Sequence, residues 1–215
     1  IDGILPLPDG PLYVRGSFAR IDGTLRIGLA RLMPDGQVDP LFVPDPSWGF
    51  PVGMALDPLG RLVVQRGTGD RAAVARLLAD GSLDVGFAVK LKHELLGVDR
   101  QGRVLAIDLA ASGARIVRLL TDGSLDAAYA TTALANYPGQ RSIKGTVVAD
   151  TGVYALERFS LTALSQSEEF VRYRPDGGRD LSYVPIPRNQ LFTGSVAFLF
   201  SPDARLVLNR VYERS

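Results

Sequence analysis

Aspartate residues recur along this chain at a spacing that could bind calcium. An Asp-Gly pair is followed by two residues and a second aspartate at positions 35–39, 80–84, 122–126 and 176–180. An EF-hand loop also needs a bidentate glutamate at its end, and calcium-binding β-rolls repeat Gly-Gly-x-Gly-x-Asp. The chain has neither feature at these positions, so we interpret the aspartates as structural and predict no metal site.

The single histidine could act as a general base. His93 is followed by Glu94, and a neutral imidazole can accept a proton near pH 7. One histidine cannot form a multi-histidine metal centre, and no serine or second acid stands out as its partner. We therefore predict an ordinary strand residue here and no catalytic residues.

A glycine-rich segment formally fits a dinucleotide-binding fingerprint. Residues 67–72 read Gly-Thr-Gly-Asp-Arg-Ala and follow a predicted strand. A nucleotide site would also need a crossover helix after this segment, and none is predicted. The other repeats of the chain have no equivalent segment, so we interpret it as a turn and predict no cofactor.

Charge and composition exclude several classes of protein. The 215 residues include 24 Lys and Arg, interspersed with 23 Asp and Glu, and no cysteine. The chain therefore lacks the basic footprint of a nucleic-acid-binding protein and has no thiol, zinc–cysteine or disulfide chemistry. No apolar run reaches the roughly 18 residues that would predict a membrane span.

The aspartates, the histidine and the glycine-rich segment lie in a chain whose sequence repeats, and the repeats must set their positions. One phrase runs Arg, a large apolar residue, two spacers, Asp-Gly, two spacers, Asp, two spacers and an aromatic residue, and it occupies 31–42, 76–87, 118–129 and 172–183. A second phrase, a turn before a short β-prone run, occupies 9–14, 59–64, 101–106, 151–156 and 203–208. Successive copies of the first phrase are roughly 42 to 54 residues apart, a period typical of supersecondary units that stack into an array.

One period contains four short predicted strands, at 51–56, 61–66, 73–78 and 82–87. Residues 71–78 are rich in alanine, leucine and arginine and would by themselves suit a helix. The equivalent segment 25–32 contains Ile27 and Gly28, which favours a strand in both copies. Four short strands separated by turn residues predict an all-β protein, a β-propeller of four-stranded antiparallel blades.

Turn chemistry sets the register of the second hairpin in each blade. Residues 33–36, Met-Pro-Asp-Gly, suit a type I turn with glycine in the left-handed conformation of a G1 bulge. This loop pairs residue 33 with 37, 32 with 38, and 31 with 39. We predict a structural ion pair in every repeat: Arg31 with Asp39, Arg76 with Asp84, Arg118 with Asp126, and Arg172 with Asp180.

These phrases resemble the delta-60 repeat, a β-propeller repeat of large bacterial surface and secreted proteins. The similarity rests on residues 12–16 with 30–42, on 75–87 and on 123–126. The fourth repeat departs from the pattern, with Gly-Gly-Arg-Asp at 177–180 in place of Gly-Ser-Leu-Asp. The resemblance implies a propeller fold, an extracellular or cell-surface location in a bacterium, and no catalytic residues.

The repeats divide a single domain of residues 1–215 into blades at about 1–45, 46–89, 90–130 and 131–185, with a half blade at 186–215. A closed propeller needs whole blades, and an unpaired blade edge invites strand addition. We therefore expect about four and a half blades that are completed by further sequence or by another chain, or that self-assemble through open edges.

Strand alternation places the tight turns on one face of the predicted propeller. The opposite face, called the loop face here, carries the variable loops and connectors at 16–24, 44–50, 67–71, 109–114, 131–141, 158–168 and 185–191. Aromatic and arginine side chains on such loops supply most binding hot spots. The candidate binding residues are Trp48, Phe50, Tyr137, Arg141, Arg158 and Arg188. The alternative is that Trp48 and Tyr137 pack between blades.

Two functions remain open at the level of sequence. The first is a non-enzymatic scaffold or recognition module of a larger bacterial extracellular or surface protein, which binds a protein or glycan through the loop face or assembles through open blade edges. The alternative is a lactonase-type hydrolase with acidic metal ligands at the propeller channel. That enzyme would need three or more acidic or amide side chains converging on the axis, and the available glutamates include Glu94, Glu157, Glu168 and Glu169.

Overall fold

The fold is all-β and antiparallel in a computed structural model of the chain. The structure describes residues 1–109, 113–130, 132–134, 141–162, 165–183, 195–200 and 206–211. In chain order the strands are β1 (Gly3–Pro6), β2 (Leu12–Arg15), β3 (Arg20–Ile21), β4 (Thr24–Leu25), β5 (Leu29–Leu32), β6 (Pro51–Leu56), β7 (Leu62–Arg66), β8 (Ala73–Leu77), β9 (Lys90–Leu91), β10 (His93–Val98), β11 (Val104–Asp108), β12 (Arg115–Leu119), β13 (Thr132–Ala133), β14 (Arg141–Ala149), β15 (Gly152–Thr162), β16 (Ser165–Tyr173), β17 (Ser195–Phe200) and β18 (Leu206–Val211). Single 3-10 turns lie at Pro46–Trp48 and Gly69–Arg71.

The strands form successive sheets that we number as blades. Blade 1 has the order β1-β2-β5, blade 2 β6-β7-β8-β9, blade 3 β10-β11-β12-β13, blade 4 β14-β15-β16, and blade 5 the described pair β17-β18. The first strands of neighbouring blades contact each other, β6 with β10, β10 with β14 and β14 with β17. Sheets that meet through their first strands are arranged as in a β-propeller, so the predicted fold class is confirmed.

The hairpin register follows the turn chemistry. Met33 N–H donates to the Gln37 carbonyl, Leu32 bridges Val38, and Asp39 N–H donates to the Arg31 carbonyl. The other repeats bridge at the equivalent positions, Leu77 with Leu83, Leu119 with Leu125 and Tyr173 with Arg179. The glycine of each turn has a φ between 81° and 97°, a left-handed conformation in which a side chain is strained.

The predicted fourth strand at 82–87 is wrong for most of its length. After the bridge at Leu83 the chain turns, because the Asp84 carboxylate accepts the N–H of Gly86 in a local Asx turn. The fourth strand of blade 2 is instead β9, which pairs with β8 through Ala73 and Leu91. The turn at 84–87 directs the chain away from the blade 2 sheet, and Phe87 packs in the cluster between blades 2 and 3.

The predicted loop at 158–168 is also wrong. Strands β15 and β16 continue through it, with Ser160 opposite Gln166 and Thr162 opposite Ser165. No glycine or proline occurs between Gly152 and Pro175, so nothing breaks the two strands before their ends. The candidate binding residues Arg141 and Arg158 therefore lie in strands, at the start of β14 and within β15.

Apolar clusters lie between the blades. The cluster between blades 1 and 2 joins Tyr13, Leu29 and Phe42 to Leu62, Val64, Ala75 and Leu77. Equivalent clusters around Phe87 and Tyr129 join blades 2 and 3 and blades 3 and 4. Burial of one such large side chain stabilises the fold by about 1.5–3 kcal/mol. This packing also explains why the alanine-rich segment 73–77 is a strand, since all five of its residues are buried between sheets.

Candidate functional site

Each predicted Arg–Asp pair is brought together by the structure. The arginine Nε donates to the aspartate Oδ2 at 2.7 Å in all four repeats. The other carboxylate oxygen accepts the backbone N–H two residues later, from Leu41 in the first repeat and Gly86 in the second. Every aspartate is thus held by a charged partner and by its own turn.

The first three arginines also reach the following blade. The arginine Nη1 donates to a backbone carbonyl in the next Asp-Gly turn at 2.7–2.9 Å, from Arg31 to Ala79, Arg76 to Thr121 and Arg118 to Pro175. Backbone N–H groups bind the same turns, from Val43 to Asp80, Ala88 to Asp122 and Ala130 to Asp176 at 2.7–3.1 Å. We call this set of contacts the inter-blade clamp.

Each guanidinium also lies over the aromatic ring that ends its phrase. The Arg Cζ is 4.6–5.4 Å from the ring centre of Phe42, Phe87, Tyr129 or Tyr183, within reach of a cation–π attraction. A single arginine therefore joins the carboxylate, the ring and, in the first three repeats, the next blade. These residues are fully engaged in building the scaffold.

The clamp lowers the pKa of its aspartates. Burial would raise the pKa of Asp84, but hydrogen bonds from Arg76 and Gly86 outweigh it, and the pKa lies below its ordinary value. The same balance lowers the pKa of Asp39 and Asp126. For Asp180 the Ser182 hydroxyl and Arg172 lower the pKa to about 2. All four carboxylates are ionised at neutral pH and stabilise the folded state.

A depression of about 780 Å³ opens on the loop face of blade 2. Three segments surround it: the connector before β6, the loop between β7 and β8, and the junction of β9 and β10. Its lining includes Trp48, Phe50, Arg66, Asp70, Arg71, Leu91 and Lys92. We call these seven residues the loop-face depression. Two of the predicted binding residues, Trp48 and Phe50, lie in it.

The aromatic side of the depression is held in place by its neighbours. Trp48 is half-buried against the core between blades 1 and 2, and the Arg66 guanidinium lies 4.9 Å from its ring centre. Phe50 is 52% exposed and rests on Gly28, where an added Cβ would come within 2.8 Å of the Phe50 backbone and ring. Trp48 therefore combines the predicted packing role with a place at the site, and Phe50 presents its ring to solvent.

The opposite side of the depression contains a strained lysine. Lys92 has a φ of 57°, and Asp22 is the other described non-glycine residue with a positive φ. Two hydrogen bonds fix this conformation, from Lys92 N–H to the Ala72 carbonyl and from Leu109 N–H to the Lys92 carbonyl. The Lys92 ammonium lies 3.3 Å from the Asp70 carboxylate. Such strain persists where surrounding contacts enforce it, and it often marks functional positions.

The acidic and histidine side chains near the depression have structural partners. Glu94 accepts the N–H of Gly69 at 2.9 Å and supports the loop between β7 and β8. His93 Nδ1 lies 2.8 Å from the Leu91 carbonyl, and its Nε2 lies 4.0 Å from Asp108. The glycine-rich segment at 67–72 forms a 3-10 turn that leads into β8, so the dinucleotide-binding helix is missing there.

The remaining predicted binding residues do not join this site in the described part of the chain. Tyr137 and Arg188 lie outside the described residues. Arg141 and Arg158 lie opposite the Phe159 and Glu168 backbones in the long hairpin of blade 4. Sequence reasoning missed Arg66, Arg71, Leu91 and Lys92, because they lie at strand ends and in a loop that do not repeat.

The described residues contain neither a cluster of metal-ligating side chains nor a helix that could span a membrane. In those ranges, no three His, Asp or Glu side chains lie close enough together to hold a metal ion. No helix in the same ranges is long and apolar enough to cross a membrane.

Part of the chain is similar to a known family of β-propeller domains. A family model described as a β-propeller domain of unknown function, DUF5122, matches residues 7–42, 60–87 and 110–129. These segments contain the first three copies of the Arg–Asp phrase. None of the curated proteins is similar in sequence to the chain.

Several solved structures are similar to this chain at low sequence identity. A streptogramin B lyase is 12% identical, with a TM-score of 0.51 over 99% of this chain and 83% of that chain. A gluconolactonase from Xanthomonas campestris is 18% identical, with a TM-score of 0.41 over 71% of this chain and 52% of that chain. A structural-genomics target described as a candidate gluconolactonase is 20% identical, with a TM-score of 0.43 over 71% and 53%.

The chain spans about half the length of the two gluconolactonase-type structures. The streptogramin B lyase likeness extends over nearly the whole chain and concerns the fold alone. The matched repeats cover less than half of the chain, and together with the clamp that joins successive blades they support a β-propeller built from repeats.

Proposed function

We propose that this protein is a non-enzymatic recognition module of the delta-60 type, in which a propeller scaffold presents the loop-face depression to a protein or a glycan. The observation that carries the proposal is the exposed Phe50 ring beside Arg66, Arg71 and Lys92. Aromatic and cationic side chains grouped on a rigid support are the usual composition of binding hot spots.

The separation between the residues that form the scaffold and the residues that line the depression supports this proposal. The repeated arginines, aspartates and aromatic residues are occupied by the inter-blade clamp. The residues of the depression belong to segments that do not repeat, so they can differ between blades without loss of the scaffold. Binding residues on variable loops over a fixed framework are a common arrangement in recognition proteins.

The resemblance to delta-60 repeats also supports an extracellular or cell-surface location in a bacterium. In that setting the ligand would be a protein or glycan met outside the cell, and the propeller would form part of a larger surface or secreted protein. The proposal includes assembly through blade edges, because the clamp of the first three repeats joins one blade to the next partly through backbone groups, which a blade of another copy would also carry.

Phe50→Ala tests the site directly. We expect this variant to lose at least about fivefold in affinity for ligands found on glycan and peptide arrays, because an exposed aromatic anchor contributes about 1 kcal/mol or more. The matched control is Leu59→Ala, since Leu59 is 77% exposed and lies in the tight turn at the other end of blade 2.

Binding that Phe50→Ala and Leu59→Ala weaken equally would contradict the assignment of the site. Calcium-dependent hydrolysis of a lactone by the purified chain would contradict the non-enzymatic assignment and favour the hydrolase alternative.

A further inference from the structure

We propose that the ligand of the loop-face depression is an extended acidic peptide with apolar side chains between its carboxylates. This inference rests on the proposed recognition function and adds the chemical class of the partner. It follows from the charge balance of the depression, from its apolar surface and from the strand at its border.

The charge balance favours an acidic ligand. Three cationic side chains line the depression, Arg66, Arg71 and Lys92, against one carboxylate, Asp70. Asp70 pairs with Lys92, and Glu94 is bound beneath the loop by Gly69 N–H. Among the described residues, neither Arg66 nor Arg71 forms an ion pair. The Arg71 guanidinium is therefore available for a carboxylate, which it can bind through bidentate hydrogen bonds. The Arg66 guanidinium donates to the Ser47 carbonyl at 3.3 Å and lies over Trp48, and it adds positive charge to the same surface.

The apolar surface favours a ligand that also carries hydrocarbon side chains. Phe50 is 52% exposed, and Leu91 is 66% exposed across the depression from it. Val52 and Val89 beside these segments are 42% and 36% exposed. Exposed apolar groups that adjoin cations match a chain in which carboxylates alternate with aliphatic or aromatic side chains.

A peptide suits this surface better than a glycan does. Among the described lining residues there is no asparagine, glutamine, serine or threonine, so apart from the Trp48 indole the side chains that could hydrogen-bond a sugar hydroxyl are charged. One face of Trp48 is already covered by the Arg66 guanidinium, which reduces the ring surface on which a sugar could stack. The lining instead combines charge and hydrocarbon, the two features by which peptide side chains differ from neutral sugars.

The border of the depression offers a backbone partner. Leu91 belongs to β9, which is the edge strand of the blade 2 sheet. An extended peptide can add to an edge strand through main-chain hydrogen bonds while its alternate side chains enter neighbouring pockets. Carboxylates directed toward Arg71 and Lys92 would then alternate with apolar side chains directed toward Phe50 and Leu91.

The single tryptophan of the chain provides the measurement, since Trp48 lies in the depression. The probe is a blocked hexapeptide of alternating glutamate and valine, titrated while the tryptophan emission is recorded at low and high salt. We expect a saturable change in emission and a Kd that rises with salt, because screening weakens exposed charge pairs. A lysine–valine peptide of the same length and an oligogalacturonate serve as comparison ligands and should not saturate.

The double variant Arg71→Gln/Lys92→Gly locates the binding. We expect it to weaken binding of the glutamate–valine peptide by about tenfold, since two exposed cations are lost. Glycine at 92 removes the ammonium while it accepts the positive φ without strain. The matched control is Arg100→Gln, which removes an exposed cation from a tight turn on the opposite face and should leave the Kd unchanged.

The outcomes separate this inference from the proposed function. Saturation by the oligogalacturonate alone would overturn the acidic peptide and retain recognition at the depression. Peptide binding that the double variant leaves unchanged would overturn the site of the inference. A failure of every probe, on these titrations and on the arrays, would count against both the ligand class and the recognition function.

Discussion

Arg76 shows how much of the propeller depends on one side chain. The residue is 3% exposed, and its guanidinium binds Asp84, the Thr121 carbonyl of blade 3 and the face of Phe87. A planar fork of five N–H donors can satisfy a carboxylate and a carbonyl at once, whereas an ammonium is a point charge on a flexible stem. Arginine is therefore required at this position for geometry as well as charge.

We expect Arg76→Lys to lower the free energy of unfolding by about 1–3 kcal/mol, because the lysine keeps the charge but leaves buried hydrogen-bonding groups without partners. Urea denaturation followed by circular dichroism measures the change. The control is Arg100→Lys, whose parent side chain is 79% exposed and whose effect should stay within about 0.5 kcal/mol. Equal effects of the two substitutions would show that the clamp contributes charge alone.

The lowered pKa values of the clamp aspartates predict how the stability of the fold depends on pH. The pKa of Asp180 falls from its ordinary value of 3.8 to about 2 in the folded protein, and those of Asp39, Asp84 and Asp126 are also lowered. A carboxyl with a lower pKa in the folded state stabilises that state above its unfolded pKa. The stabilisation should therefore be complete above about pH 5 and be lost between about pH 4 and pH 2.

Urea midpoints measured from pH 7 to pH 2 test this dependence. The Asp84→Asn variant should show a lower midpoint at pH 7 and a shallower decline with acid, because one titrating carboxyl is missing. A wild-type midpoint that stays constant down to pH 2 would contradict the stabilising role of the ionised aspartates.

At the scale of elements, the turn glycines explain how closely the blades approach. A Cβ added at Gly81 would lie 2.7–3.0 Å from the Val43 and Pro44 backbone of blade 1. A Cβ added at Gly123 or Gly177 would likewise overlap the backbone of Ala88 or Ala130. Gly36, in the equivalent turn of blade 1, has no described atom within 4 Å of an added Cβ.

This difference provides a matched pair of variants. Gly36→Ala and Gly81→Ala place a side chain at almost the same φ, 85° and 88°, so the backbone strain of about 1–2 kcal/mol is common to both. Gly81→Ala also creates the overlap with blade 1, and we expect it to cost about 1–3 kcal/mol more. Thermal or urea unfolding of the two variants measures the difference. An equal loss of stability would mean that the blades separate enough to admit a methyl group.

The sequence predicts the hairpins well because their register is set by local chemistry. Pro34, Asp35 and Gly36 specify the turn, and the turn specifies which residues face each other. The fourth strand was not predictable in the same way, because Asp84 can face Arg76 in a strand and also begin an Asx turn. The long hairpin of blade 4 was missed because the repeat pattern led us to expect a loop where β-prone residues continue.

The candidate site was predictable only in part. Trp48 and Phe50 were identified because aromatic residues in a connector are conspicuous. Lys92 was missed, since its orientation depends on a positive φ that hydrogen bonds to Ala72 and Leu109 enforce. Those partners are 20 and 17 positions away in the chain, so no local pattern reveals them.

At the scale of the whole molecule, the three complete blade interfaces are chemical copies of one another. In each, an arginine and a backbone N–H donate to two carbonyls of the following turn, and the arginine lies over an aromatic ring. Stability in such an array is close to a sum of repeat and neighbour terms. Loss of one clamp should therefore weaken one blade interface and leave the contacts at the other interfaces intact.

The turn of blade 1 carries the same backbone groups as the three turns that the clamp binds, although no described atom lies within 4 Å of a Cβ added at Gly36 there. The outer side of blade 1 carries the carbonyls of Pro34 and Asp35, and Leu12 and Leu32 there are half-buried, where their equivalents Leu62 and Leu77 are buried. The clamp binds backbone carbonyls of the turn, which are present in every copy of the Arg–Asp phrase. Its contacts therefore do not depend on which copy follows. Duplication or deletion of a whole repeat in the gene would consequently leave the clamp contacts at each blade interface unchanged, so such arrays can change in length and keep this chemistry.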